Sequence, residues 1–223
     1  MRKKMMIAID GTPGSGKGTL AKKLAKHFNL MHLSYGKLYR YLVYKIIKNN
    51  INVNETKKII NYASKINIRQ LSSKKLNTIE VGKVASIIAL NSQIRETLKK
   101  IQRKFTKIPR KNYAGTVIDG RDIGTVILPN ADFKFFLTAN EKVRSIRRFK
   151  ELRTQKIKCT KSQVLAQIRE RDKRDKGRKI APLRAPKGAY LINTSFLDIE
   201  TVFKTVKKYI NKVNKISKIV RLN

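Results

Sequence analysis

The sequence predicts an α/β fold, a parallel sheet flanked by helices, and three observations lead to it. An apolar run at residues 5–9 breaks at the glycine-rich stretch GTPGSGKGT (11–19) and passes into a segment in which Leu20, Leu24 and Phe28 recur every four residues. Two later runs, GTVI at 115–118 and FKFFLT at 133–138, are rich in β-branched or aromatic residues, short enough for buried strands, and followed at once by polar residues. Helical periodicity fills much of the sequence around them. Strands alternating with helices require parallel crossovers, and ligands of such sheets gather at the carboxyl ends of the strands. Gly11, Asp119 and the polar turn after Thr138 all fall there.

In order, residues 5–10 read as strand one and 17–28 as the helix that follows the glycine turn. Residues 30–33 read as a second strand, and the next helix carries Leu38, Tyr39, Leu42, Val43 and Ile46 until the cluster at 49–52 ends it. Residues 55–66 read as a helix and 81–105 as a longer one with a break near Asn91 and Ser92, whereas 66–77 give no clear pattern. After the strands at 115–118 and 133–138 come helices at 141–152 and 162–175, a last strand at 190–193 and an amphipathic helix at 199–219. There is no internal repeat, low-complexity segment or long linker, so residues 1–223 read as one domain with small appended segments.

Charge is the feature most open to misreading. With 53 Lys plus Arg against 14 Asp plus Glu, the formal net charge is +39, a balance that suits a nucleic-acid-binding protein. The lysines, however, are spread along the whole chain, including its amphipathic last segment, instead of forming one arm or recognition helix. They read as solvated faces with salt-sensitive, nonspecific affinity for polyanions. No apolar stretch approaches the roughly 20 residues of a membrane span, and MRKK with its short apolar run reads as a strand start and not a leader. The single cysteine, Cys159, sits among lysines and forms no intrachain disulfide, so a cytoplasmic setting is expected.

The stretch GTPGSGKGT has the chemistry of a phosphate cradle. A strand ending in a glycine turn that enters a helix leaves backbone N–H groups unpaired and convergent, a nest for anionic oxygens. Gly11, Gly14 and Gly16 permit positive φ and close approach, and Lys17 reaches the outer phosphates of a nucleoside triphosphate. The usual hydroxyl after the lysine is displaced by Gly18 to Thr19.

Two further motifs carry charge where a phosphate would lie. In DGRDIGT (119–125), two carboxylates flank an arginine at the end of a strand, so Asp119 can organise magnesium-bound water and Arg121 can grip a phosphate. The bland alternative is an Asp turn held by an internal arginine pair. In ERDKRDKGR (170–178), Arg171, Arg174, Asp175 and Arg178 share one helical face; alone this would be a solvated, salt-bridged helix. Phosphoryl transfer between two nucleotides gives such cations a task, because its transition state spreads charge over three oxygens and is catalysed by positioning and charge.

With these motifs in place, the chain resembles the bacterial cytidylate (CMP) kinases of the nucleoside monophosphate kinase family over most of its length. The resemblance rests on IDGTPGSGKGT (9–19), YGKLYR (35–40), EVGKVAS (80–86) with IRE (94–96), DGRDIGTVILPNADFKFFLTA (119–139) and RERDKRDKGRKIAPL (169–183). It implies a P-loop kinase fold with an acceptor-binding segment at about 36–105 and a lid at about 145–180. It implies ATP as donor, bound by Gly11, Thr12, Pro13, Gly14, Ser15, Gly16, Lys17, Gly18 and Thr19. CMP or dCMP is the implied acceptor, with Arg40, Arg121 and Arg178 on its phosphate, Ser86, Arg95 and Asp122 on cytosine, and Arg171 and Asp175 on the ribose. Lys17, Arg121, Arg147, Arg148 and Arg178 are the expected catalytic cations, and Thr19 and Asp119 the candidates for magnesium. A carboxylate, an arginine and a hydroxyl match the amino group, ring nitrogen and carbonyl of cytosine, whereas uracil would turn a carbonyl toward Asp122.

The chain departs from the family pattern at Ser34, where Asp is frequent, at Tyr35, where Ser or Thr is usual, and at Asn77, where Arg is common. The 66–77 stretch is shorter than the β-rich insert of many members. His27 and His32 lack partners at metal-ligand spacing and read as satisfied or surface histidines, and Tyr35, Tyr39, Tyr41 and Tyr44 read mainly as packing. The rival readings are another monophosphate kinase, with UMP or AMP as acceptor, and a nucleic-acid-binding protein that uses ATP as a switch. The adenylate branch would carry a DGFPR-like motif, which is missing here. A monomer acting on small molecules, without membrane or specific nucleic-acid partner, is the expectation.

Overall fold

The computed structural model describes residues 4–66, 71, 74–107 and 112–219. Its centre is a five-stranded parallel sheet in the order β2-β3-β1-β4-β5, formed by β1 (Met5–Gly11), β2 (Leu30–Ser34), β3 (Gly115–Asp119), β4 (Phe133–Thr138) and β5 (Tyr190–Asn193). The chain runs to one side of β1 to make β2 and returns past it from β3 to β4. That reversal opens a crevice at the carboxyl ends of β1, β3 and β4.

Alternation along the strands divides the apolar residues between two faces. Ile7 and Ile9 of β1, with Val117 and Phe135, pack against α1 (Lys17–His27) and α8 (Ile199–Ile219) through Leu20, Leu24, Val206 and Ile210. The ring of Tyr209 lies 4.6 Å from Tyr190 and 5.8 Å from Phe135, so α8 spends its apolar stripe on the sheet. Ala8 and Ile118 face the other way, toward α2 (Tyr35–Lys48), α3 (Thr56–Ser64), α4 (Ile79–Ile88) and α5 (Ser92–Lys107). Tyr35, Tyr39 and Tyr41 are buried in this second core and Tyr44 packs against it. A small third core joins α6 (Glu141–Thr154) to α7 (Lys161–Gly177) through Leu152, Val164 and Ile168. Cys159 packs against this third core and is only partly exposed, where the sequence suggests a solvated loop.

Most element boundaries fall within two residues of the sequence reading. The expected break at 91–92 is the gap between α4 and α5, where the Asn91 side chain accepts the Gln93 and Ile94 N–H groups at 3.0 and 3.1 Å. Much of the ambiguous 66–77 stretch lies outside the described residues; Lys74–Asn77 is a turn of 3₁₀ helix. DGRDIGT adds an element for which the sequence gives no pattern: Ile123–Ile127 is one turn of π-helix. Among the described residues no helix is long and apolar enough to cross a membrane.

Candidate functional site

The glycine turn is built as its residue types require. Gly11, Gly14 and Gly16 have φ of +149°, +75° and +89°. A Cβ on Gly11 would lie 2.1 Å from the Leu137 carbonyl oxygen of β4, so no side chain fits at the end of β1. Gly16 caps α1, and Lys17 folds back so that Nζ donates to the Thr12 carbonyl at 2.9 Å. Burial, then Arg121, pushes the Lys17 ammonium well below its usual range, with Asp119 opposing. A phosphate at the loop would reverse that push.

A cavity of about 380 Å³ opens beside the turn, and Gly14, Gly16, Lys17 and Thr19 share it with Arg40, Arg121, Arg148 and Arg171. These arginines come from α2, the end of β3, α6 and α7, so the fold gathers cations that the sequence scatters over more than 130 positions. Burial and the neighbouring Arg171 and Arg148 push Arg40 down. Burial and Arg121 bring Arg171 to about 10, which leaves it charged at neutral pH. Asp175 balances part of this field: it accepts Arg121 Nε at 2.7 Å, and Arg171 Nε lies at 3.7 Å. Despite its burial, Arg121 and Arg171 hold the Asp175 carboxyl below the ordinary carboxylate range.

A second cavity, of about 330 Å³, contains Arg95 and Asp122 together with Tyr35, Ile127 and Ala181. The two cavities adjoin along the chain, since Tyr35 and Asp122 line one while Ser34, Gly36 and Arg121 line the other. Asp122 is fully buried and accepts Arg95 Nη2 at 2.6 Å, while its second oxygen has no hydrogen-bond partner among the described residues. Arg178 Nη2 stands 3.6 Å from that oxygen. The second oxygen is thus a buried acceptor with unused hydrogen-bonding capacity, flanked by the Arg95 and Arg178 guanidinium groups.

Not every residue singled out from the sequence enters these cavities. Ser86 donates to the Lys83 carbonyl at 2.7 Å and accepts from Arg174 Nε at 3.0 Å. Arg147 parts from Arg148: its guanidinium donates to the Thr194 hydroxyl and to the Thr194 and Leu197 carbonyls. It lines a third cavity, of about 390 Å³, with Ser15, Thr194 and Val202; Arg148 borders both this cavity and the one beside Lys17. Arg148 donates to the Asn77 carbonyl at 2.7 Å, and Arg40 to Asn77 Oδ1 at 3.2 Å, so Asn77 ties two cleft arginines.

Asp119 lies under the turn, its Oδ1 3.8 Å from where a Cβ on Gly18 would stand. Its two oxygens bond His32 Nε2 at 2.8 Å and Ser34 Oγ at 3.2 Å. His32 is thus satisfied, as its sequence context suggests, but by a carboxylate of the cleft. His27 instead packs its ring on Phe28 and Phe203. Among the described residues no three His, Cys, Asp or Glu side chains converge on one point. Magnesium shares its coordination sphere with phosphates and water, and a carboxylate whose oxygens are already bonded suits attachment through water. Asp119 therefore fits as an outer partner of that ion.

Three contributors escape sequence reasoning. Asp10, fully buried, accepts the Ile123 and Gly124 N–H groups, both at 2.7 Å, and so starts the π-helix turn behind Asp122. Arg144 and Asp172 form a two-pronged ion pair at 2.6 and 3.1 Å between α6 and α7. Spacing carries no signal for either arrangement; only a buried charge demanding a partner does.

Comparison with known proteins follows the same outline. A family model described as cytidylate kinase matches residues 7–212. The cytidylate kinase of Bartonella tribocorum is 39% identical over 213 residues, covering 96% of this chain and 97% of that protein. That of Bradyrhizobium diazoefficiens is 42% identical over 196 residues, covering 88% and 91%. Among solved structures, a shikimate kinase from Bacteroides thetaiotaomicron aligns with TM-score 0.50 at 13% identity over 94% of this chain and 99% of that one. An uncharacterized protein from Eubacterium ventriosum gives 0.54 at 17% over 93% and 99%. At such identities these two likenesses speak for the fold alone.

Proposed function

The chain belongs to the cytidylate kinase family, and from that premise we propose that it transfers the γ-phosphoryl group of ATP to CMP or dCMP, giving ADP and CDP or dCDP. The observation that carries this reading is the shared cleft, in which the glycine turn and Lys17 face Arg40, Arg121 and Arg171 across one cavity while Asp122 and Arg95 wait in the next. Residues 11–19 hold the donor phosphates. Arg40, Arg121 and Arg178 take the acceptor phosphate, and Arg171 and Asp175 the ribose. Asp122, with Arg95, reads the cytosine amino edge, and Ser86 turns from Arg174 to complete that set.

Transfer is direct and in line. The acceptor phosphate is already anionic near neutral pH, so no protein nucleophile is needed, and rate comes from positioning and charge neutralisation. Lys17, Arg121, Arg148 and Arg178 supply fixed positive charge where the transferring group passes. Arg147 acts from the third cavity, where it fixes the Thr194–Leu197 backbone beside the donor. Magnesium, held through water near Asp119 and Thr19, would neutralise triphosphate charge. Segments 36–105 and 145–180 close on the two nucleotides and exclude water, which limits ATP hydrolysis. The enzyme works as a cytoplasmic monomer on small-molecule substrates.

A coupled ADP-release assay with CMP, dCMP, UMP, AMP and GMP tests the assignment. Turnover is expected with CMP and dCMP well above the others. Comparable turnover of AMP, or ADP release that ignores the acceptor, would overturn it.

A further inference from the structure

Arg144 is the most heavily engaged cation of the described residues that no substrate role explains. Its residue is 4% exposed. Nε donates to the Ala139 carbonyl at 2.7 Å, Nη1 to the Pro13 carbonyl at 3.2 Å, and the two terminal nitrogens to both oxygens of Asp172. The glycine turn also rests directly on Arg144, since a Cβ on Gly14 would lie 3.0 Å from both the Arg144 Cβ and its carbonyl oxygen. One guanidinium thus joins the donor loop, the end of β4 and α7. On α7, Asp172 immediately follows Arg171 and precedes Asp175 by three residues, so its helical turn carries the ribose-side pair.

Resting on the donor and acceptor assignments above, we infer that Arg144 and Asp172 couple the two nucleotide sites, so that an acceptor drawing on Arg171 and Asp175 sets the position of the Pro13–Gly14 backbone and thereby tightens the donor site. A planar fork with two parallel bonds resists rotation and shear between helix and loop, which a single-point ammonium does not. Because coupling between two ligands is reciprocal, ATP must tighten CMP by the same factor. Arg144 and Asp172 are positioning residues here; neither touches the reacting atoms.

The same two helices carry an internal control. Arg169 of α7 bonds Glu141 of α6 at 2.6 and 3.0 Å, an exposed pair that joins α6 to α7 without reaching the loop. If helix-to-helix attachment alone mattered, breaking this pair would act like breaking the other.

The test is calorimetric titration of CMP into the full-length protein, with and without saturating magnesium and a nonhydrolysable ATP analogue. Wild type should bind CMP about tenfold tighter in the presence of the analogue. Arg144→Lys and Asp172→Asn should bring that ratio close to one while changing CMP affinity without analogue by less than about threefold. Arg169→Gln should keep the wild-type ratio. Absence of synergy in wild type, retention of the ratio in Arg144→Lys and Asp172→Asn, or loss of the ratio in Arg169→Gln would each overturn the coupling role. A chain that turns over CMP but shows no synergy would leave the kinase assignment standing, whereas failure of wild type to bind CMP at all would remove both.

Discussion

Lys17 shows how single residues in this cleft trade stability for chemistry. Its ammonium is buried beside Arg121 and Arg171, with one carbonyl bond to compensate. A buried cation among cations opposes folding, and replacing it by an apolar side chain of similar length commonly leaves the fold neutral or steadier by about 1–2 kcal/mol. Lys17→Met is therefore expected to lose about 10³-fold in transfer rate while melting at or above the wild-type temperature, by roughly 2–8 °C. Thermal denaturation beside single-turnover kinetics checks both halves; a variant that melts well below wild type would mean that the loop depends on the cation even without substrate. The place of Lys17 in the glycine turn is legible in the sequence because its hydrogen-bond partner, the Thr12 carbonyl, lies five positions away. Arg144 is opaque for the opposite reason: its partners Pro13 and Asp172 lie 131 and 28 residues away, and nothing about one arginine among many distinguishes it before the chain folds.

Among elements, the π-helix turn at Ile123–Ile127 depends on a carboxylate from another strand. Asp10 supplies its first two N–H groups with acceptors, and burial pushes that carboxyl up from 3.8 to about 6 even though these bonds oppose the shift. With its folded pKa above the unfolded value, Asp10 contributes stability that is fully present below about pH 4 and is lost as pH rises through about 6, roughly 3 kcal/mol in all. Asp10→Asn has no proton to lose there, so urea unfolding from pH 4 to 7 should show the wild-type advantage over Asp10→Asn shrinking by about that amount. A constant or growing advantage would contradict it. The strands, in contrast, are readable from the sequence almost to the residue, because β1, β3 and β4 are short runs rich in apolar or β-branched residues, as buried parallel strands must be. DGRDIGT is readable as a charged strand end but not as a helix turn: its conformation is set by Asp10, more than 110 positions away. Ser86 enters through family resemblance alone, and its partner Arg174 comes from α7.

Across the whole molecule, the +39 charge hides a pattern in the few acids. Asp10, Asp119, Asp122, Asp172 and Asp175 all lie in or against the cleft, and each holds an arginine, a histidine or backbone N–H groups. These five aspartates, out of 14 acidic residues in all, give the cleft its fixed negative charge among the cations. The fold brings them together at the carboxyl ends of β1 and β3 and on the side of α7 that meets them. The central claim is that this cleft reads cytosine through the buried Asp122 carboxylate. Its most direct measurement is kcat/KM for CMP and for UMP in wild type and Asp122→Asn under the same conditions. Wild type should favour CMP by about 10²-fold or more, and the substitution should lower CMP by about 10²-fold and UMP by less than tenfold, so that the preference nearly vanishes. Equal losses on both acceptors, with the preference intact, would contradict the claim.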